Sequence, residues 1–189
     1  RGPPPAHMAA EEPQPVPYEN RELRPPVALE ATVVRGYARG GSQLGCPTAN
    51  MDVTELGDVV NQLEKGIYAG WARLHGATYM TVVSCGNNPY YGNEQRSIEA
   101  HLLHEFPEDF YDSRLGLRLC VYLRNEANFS SLDALVAAIA EDIRRARALL
   151  ATVGTEWAQP EGWGPGEAAA AAAPAAEGPG AGAAGEEAA

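Results

Sequence analysis

The chain has 189 residues and a formal charge of −11, with Lys65 as its sole lysine, so it offers no basic stripe for a nucleic acid or an anionic membrane. No apolar run approaches the ~20 residues of a membrane span. Cys46, Cys85 and Cys120 form no C-x-x-C pair and read as reduced thiols, which points to a soluble, cytoplasmic protein.

In chain order, residues 1–26 come first. They are proline-rich and read as an extended, disordered N-terminal extension; His7-Met8 within them resembles a cloning junction. Residues 27–153 form the core domain and hold 11 basic and 15 acidic side chains, a net of −4. Leu29 to Arg35 reads as a strand, and a glycine-rich stretch follows, G-G-S-Q-L-G-C-P-T-A-N over residues 40–50. Thr48 to Val53 supplies another strand. Gly66 to Leu74 and Ala77 to Cys85 are aromatic and β-branched, and His75-Gly76 between them signals a hairpin. Ile98 to Leu103 adds a fifth strand. In Leu115 to Leu123 every odd position is Leu or Val, the alternation of a half-buried strand.

Ser130 followed by Asp133 predicts a capping box and a helix start. Leu132, Leu135, Val136, Ile139, Ile143, Ala146 and Leu150 then share one face. Arg144, Arg145 and Arg147 suit the C-terminal dipole, and Gly154 can end the helix. Residues 154–189 are almost entirely Ala, Gly, Glu and Pro, with six Glu and no Lys or Arg, and read as a disordered tail. Short strands, turn-like connections and no crossover helix argue for an antiparallel barrel or sandwich, and with the helix the reading is a small β-barrel with a C-terminal helix packed on it.

The glycine stretch begins as G-x-x-x-x-G but continues as Cys-Pro-Thr where a P-loop needs Lys and then Ser or Thr. Pro47 favours extended backbone before it, and no helix follows, so this is not a P-loop. The stretch still suits phosphate, because Gly36, Gly40, Gly41 and Gly45 let several backbone amides face one anion. Thr48 and Asn50 are two apart, so on extended chain their side chains point the same way and offer hard oxygen ligands for Mg²⁺; the alternative is a glycine turn that Thr and Asn cap.

The segments V-V-R-G-Y-A-R-G-G-S-Q-L-G-C-P-T-A-N, G-I-Y-A-G-W-A, N-P-Y-Y, I-E-A-H-L-L-H, E-D-F-Y, Y-L-R-N-E-A-N-F and S-L-D-A-L, in that order from about Val33 to Leu150, resemble riboflavin kinases. The resemblance implies a mainly-β fold, a six-stranded antiparallel, Greek-key-like barrel with a C-terminal helix. It implies a monomeric kinase that uses ATP and Mg²⁺, with Zn²⁺ or Mn²⁺ as substitutes, to phosphorylate the ribityl 5′-hydroxyl of riboflavin and give FMN and ADP. The non-catalytic alternative is a flavin- or nucleotide-binding barrel. Relatives are fused to an adenylyltransferase or a phosphatase, and neither an H-x-G-H nor a D-x-D signature occurs here.

Residue by residue, the resemblance puts the metal on Thr48 and Asn50 and the general base on Glu99. The sequence adds its own reason for Glu99. It stands on the strand face opposite Ile98, Ala100 and Leu102, a carboxylate bordered by apolar residues. Glu99, His101 and His104 do not read as a zinc set, because His104 is an odd number of steps from the other two and faces away. For ATP the resemblance points to Gly36, Ser42, Thr48, Leu102, His104 and Tyr111; animal members often carry Lys where Ser42 stands. For flavin it points to Arg124, Glu126 and Phe129. Phe129 either lies against the isoalloxazine or staples the helix start.

Overall fold

The computed structural model describes residues 16–36, 46–87, 96–159 and 163. Six strands form the fold: β1 (Arg21–Val34), β2 (Ala49–Met51), β3 (Gly66–Leu74), β4 (Ala77–Asn87), β5 (Arg96–Leu102) and β6 (Arg114–Arg124). They close in the order β1-β2-β5-β4-β3-β6, with β6 returning to β1 and every pairing antiparallel. Strands β3, β4 and β5 are consecutive neighbours and β6 returns beside β3, which is the Greek-key order. A short helix α1 (Val59–Gln62) lies between β2 and β3, and α2 (Leu132–Leu150) packs across β3, β4 and β6.

Local chemistry explains the best-defined boundaries. His75 and Gly76 both have positive φ, 49° and 80°, the backbone of a two-residue hairpin turn, so Leu74 pairs directly with Ala77. Strand β3 therefore has its expected ends.

Two cores result. Inside the ring lie Leu29, Ala31, Val33, Tyr68, Leu74, Val83, Ile98, Leu102, Leu115, Leu117 and Leu119. Outside it, under α2, lie Ala69, Trp71, Cys120, Val121, Leu123, Ala146 and Leu150. The odd-residue alternation of β6 thus holds only to Leu119. Next to it the ladder to β3 slips, with Gly70 opposite Leu119 and Ala69 opposite Val121, and Cys120 is the extra residue of a bulge. Cys120 and Val121 both join the outer core while Tyr122 turns inward. Gly70 permits this, since a Cβ there would overlap the Arg118 carbonyl.

Other expectations are corrected. The α2 cap is Ser131, not Ser130: its extended backbone (φ −148°, ψ 162°) and its hydroxyl, accepting from Ala134 N, start the helix one residue later, so Asp133 is not a capping-box partner. The buried face is Asp142, Ala146 and Leu150, whereas Leu132 and Val136 are exposed. Cys85 and Cys120 are buried as expected, and burial raises both thiols above their ordinary range, Cys120 to about 12.

The flanks are also less detached than their composition suggests. Strand β1 starts at Arg21, inside the extension read as disordered, and Arg21 and Glu22 pair with Tyr122 and Val121. Beyond α2, Gly154 turns left-handed (φ 65°) into a 3₁₀ turn, Thr155–Ala158, and carries the tail back to the barrel. Trp163 then lies on Gly116 and donates Nε1 to the Trp157 carbonyl at 2.9 Å, with the Arg118 guanidinium 4.7 Å from its ring. The reason is aromatic area: one buried Trp offsets the poor propensity of its neighbours. Trp163→Ala should accordingly lower unfolding stability by about 2 kcal/mol. Equilibrium denaturation checks this, and an unchanged midpoint would mean that the tail contributes nothing.

Candidate active site

Strand β5 positions the central group. Ile98, Ala100 and Leu102 are buried in the ring, so Ser97, Glu99 and His101 alternate on its other face, successive members ~7 Å apart along the strand. Strand β2 brings the second group, because its ladder to β5 sets Asn50 opposite Glu99. The Thr48 hydroxyl donates to Glu99 Oε2 at 3.2 Å. Residues far apart in sequence therefore meet as a hydroxyl, an amide and a carboxylate. Gly36, after β1, completes the cluster: a Cβ there would overlap the Asn50 amide, so a larger residue would push that side chain out of place.

These hard oxygen donors fit Mg²⁺, which keeps waters and phosphate oxygens as its remaining ligands and needs no all-protein cage. They fit zinc less well, having no thiolate or imidazole. Among the described residues no group of three or more His, Cys, Asp or Glu is arranged to hold a metal.

One end of this row opens into a cavity of about 840 Å³, within the range of ligand pockets. Thr48, Leu102, His104 and Tyr111, all expected at the nucleotide, line it together. Pro47, Phe106 and Phe110 also line it, and Ile143 and Arg147 reach it from α2. Its wall is aromatic. His104 lies 4.8 Å from Tyr79 and 4.9 Å from Phe106, and Phe106 lies 4.9 Å from Phe110. The Arg35 guanidinium sits 4.4 Å over the Tyr111 ring. Sequence reasoning missed Phe106 and Phe110 as wall residues and Tyr79 and Arg35 as their supports, and gave Arg147 only to the helix dipole. Three aromatics within Phe106 to Tyr111 were a usable signal, whereas Arg147 reaches the wall only through the packing of α2. Ser42 lies outside the described residues.

The other end of the row points to the connection between β6 and α2. Gly86 faces Ser97 across the β4–β5 ladder, and Glu126 folds over this pair so that a Cβ on Gly86 would come within 2.6 Å of its Oε1. Phe129 is half-buried beside Arg124, whose guanidinium is 5.8 Å from its ring. Arg124 itself departs from the expectation of a free donor fork. It is 3% exposed, and its Nε and Nη2 donate to the Asp142 carboxylate at 2.8 and 2.6 Å. Its Nη1 donates to the Asn125 carbonyl at 3.0 Å. Asp142, also 3% exposed, accepts from the Tyr18 hydroxyl at 2.8 Å. The fork thus anchors the connection to α2, because a buried guanidinium needs a carboxylate more than it needs reach.

Comparison with known proteins covers the same elements. The family model for flavokinase, riboflavin kinase, matches residues 23–150. Human riboflavin kinase is 44% identical over 123 residues, 65% of this chain and 79% of the human protein. The bifunctional riboflavin kinase/FMN phosphatase of Arabidopsis thaliana is 43% identical over 118 residues, 62% of this chain but 31% of that one. Among solved structures, riboflavin kinase from Trypanosoma brucei has a similar fold, with a TM-score of 0.54 at 24% identity over 66% of this chain and 80% of that one.

Proposed function

The chain belongs to the riboflavin kinase family and phosphorylates riboflavin to FMN, and on that premise we propose that Glu99 is the general base, with ATP as donor and Mg²⁺ on Thr48 and Asn50. The observation that carries this reading is the row on β5. Glu99 lies between the cavity of Leu102, His104 and Tyr111 on one side and the Glu126–Phe129 connection on the other. A donor in the cavity and an acceptor at the connection would meet at this carboxylate.

Phosphoryl transfer rests mainly on positioning and charge stabilisation, with little covalent work for the protein. The 5′-hydroxyl oxygen forms a bond to the γ-phosphorus as the bond to ADP breaks, and Glu99 takes the hydroxyl proton. The Thr48 hydroxyl, giving its proton to Glu99 Oε2, keeps its oxygen lone pairs for the cation and leaves Glu99 Oε1 for the acceptor. Mg²⁺, when bound, neutralises charge on the transferring phosphates. Backbone amides of the glycine stretch serve the phosphates where Ser42 offers no charge, and Gly36 leaves room for them. Glu126 and Phe129 hold the flavin, Phe129 by its ring face. The enzyme acts as a cytoplasmic monomer; among the described residues no helix is long and apolar enough to cross a membrane.

FMN formation from riboflavin, ATP and Mg²⁺ tests the activity directly. For the metal, Thr48→Ala should fold normally but need roughly tenfold more Mg²⁺ for half-maximal rate, and Thr48→Ser should stay close to the parent. Equal Mg²⁺ dependence in all three proteins would make Thr48 a turn residue only.

A further inference from the structure

His101 has no part in the reaction described above, yet it stands in the same row as Glu99. Its Nδ1 lies 2.8 Å from the Pro47 carbonyl oxygen. A carbonyl has no proton to give, so Nδ1 carries the hydrogen and donates it. Pro47 precedes Thr48 directly, and it is Thr48 that bonds Glu99. The histidine is itself fixed from behind: the hydroxyl of fully buried Thr81 donates to its carbonyl at 2.9 Å, and its backbone pairs with Val82. Two links therefore run in parallel between β5 and the segment ahead of β2, one from His101 to Pro47 and one from Glu99 to Thr48.

We propose that His101 is a positioning residue. By holding the Pro47 carbonyl it sets the Thr48 hydroxyl over Glu99, and so prepares the oxygen pair that receives the metal–nucleotide complex. The inference rests on the reading of Thr48 as a metal ligand and goes beyond it by naming what holds that ligand in place. It requires no contact between the imidazole and either substrate.

The test uses binding, not turnover. Dissociation constants for ADP with and without Mg²⁺ are measured by calorimetry, and that for riboflavin by quenching of flavin fluorescence, on the parent, His101→Leu and His101→Asn. Leucine removes the donor; asparagine keeps a short N–H donor for the Pro47 carbonyl. Loss of one hydrogen bond of ordinary net worth should weaken Mg·ADP by about fivefold to tenfold in His101→Leu. Metal-free ADP and riboflavin should stay within about twofold, and His101→Asn should recover at least half of the loss. Thermal melting on the same preparations shows whether each variant is folded. The inference is overturned if His101→Leu binds Mg·ADP like the parent. Equal weakening with and without Mg²⁺ also overturns it, since the ring would then touch the nucleotide itself. A parent that binds ADP equally well with and without Mg²⁺ would instead bring down the reading of Thr48 and Asn50, and the positioning role with it.

Discussion

Glu99→Gln should fold like the parent and lose a factor of about 10² to 10⁴ in single-turnover FMN formation, the range that general base catalysis supplies. The substitution is isosteric. Its amide oxygen can still accept the Thr48 hydroxyl, which stands 3.2 Å from the carboxylate, so the metal-side geometry survives. The flanking Ile98 and Ala100 keep the strand in register against β2 and β4, and neither ladder uses the side chain. Only the proton acceptor is lost. Affinities for Mg·ATP and riboflavin should therefore change little, because the cavity and the connection are untouched by the substitution. A carboxylate that merely supported the fold would show the reverse, with a lower melting point and normal activity per folded molecule. Melting and single-turnover rate on one preparation separate the two, and unchanged turnover in a well-folded Glu99→Gln protein would remove Glu99 from the chemistry.

What could be read ahead of the structure was whatever local chemistry decides. The His75-Gly76 turn fixed two strands because two positive-φ positions allow only a tight hairpin. Thr48 could be paired with Asn50, and Glu99 set on the face opposite Ile98, because strand alternation fixes which way each points; only the β2–β5 register brings Asn50 and Glu99 face to face. The resemblance supplied their roles and the six-stranded order. What stayed hidden depends on distant partners. Asp142 reads as one more polar residue of an amphipathic helix, and its burial becomes intelligible only when Arg124 arrives from β6 and Tyr18 from the extension. The bulge at Cys120 has no local mark, since Leu115 to Leu123 alternates without interruption while the chain changes face. Trp163 was a visible oddity in a tail of Ala, Gly, Glu and Pro. Judging that tail by average composition concealed Trp157 and Trp163, which pack it against the barrel.

Asp142→Ala should cost about 3 to 5 kcal/mol of stability, because it strands a guanidinium that has almost no access to water. Both charges are desolvated in the parent, and their geometry is the favourable one, a fork on a carboxylate at 2.8 and 2.6 Å. Without the acid, Arg124 must stay buried and unpaired or pull β6 open. Tyr18→Phe should cost only about 1 kcal/mol, one neutral hydrogen bond onto the same carboxylate. The Tyr18 phenol is pushed up from its ordinary 10 to about 12, first by burial and then by the bond to Asp142. Its proton is thus more firmly held in the folded state; its contribution is complete below pH 10 and disappears as pH rises towards 12. The decisive comparison is the double variant Arg124→Met with Asp142→Leu. Apolar residues of similar volume can replace a buried ion pair at little cost, so most of the stability lost in Asp142→Ala should return. Riboflavin affinity should nevertheless be low in the double variant, since the Nη1 link from Arg124 to the Asn125 carbonyl, which ties down the connection carrying Glu126 and Phe129, is lost with Arg124. Denaturation midpoints and riboflavin titrations on the three variants check this. A double variant that regains both stability and full flavin affinity would leave the ion pair a role in folding alone.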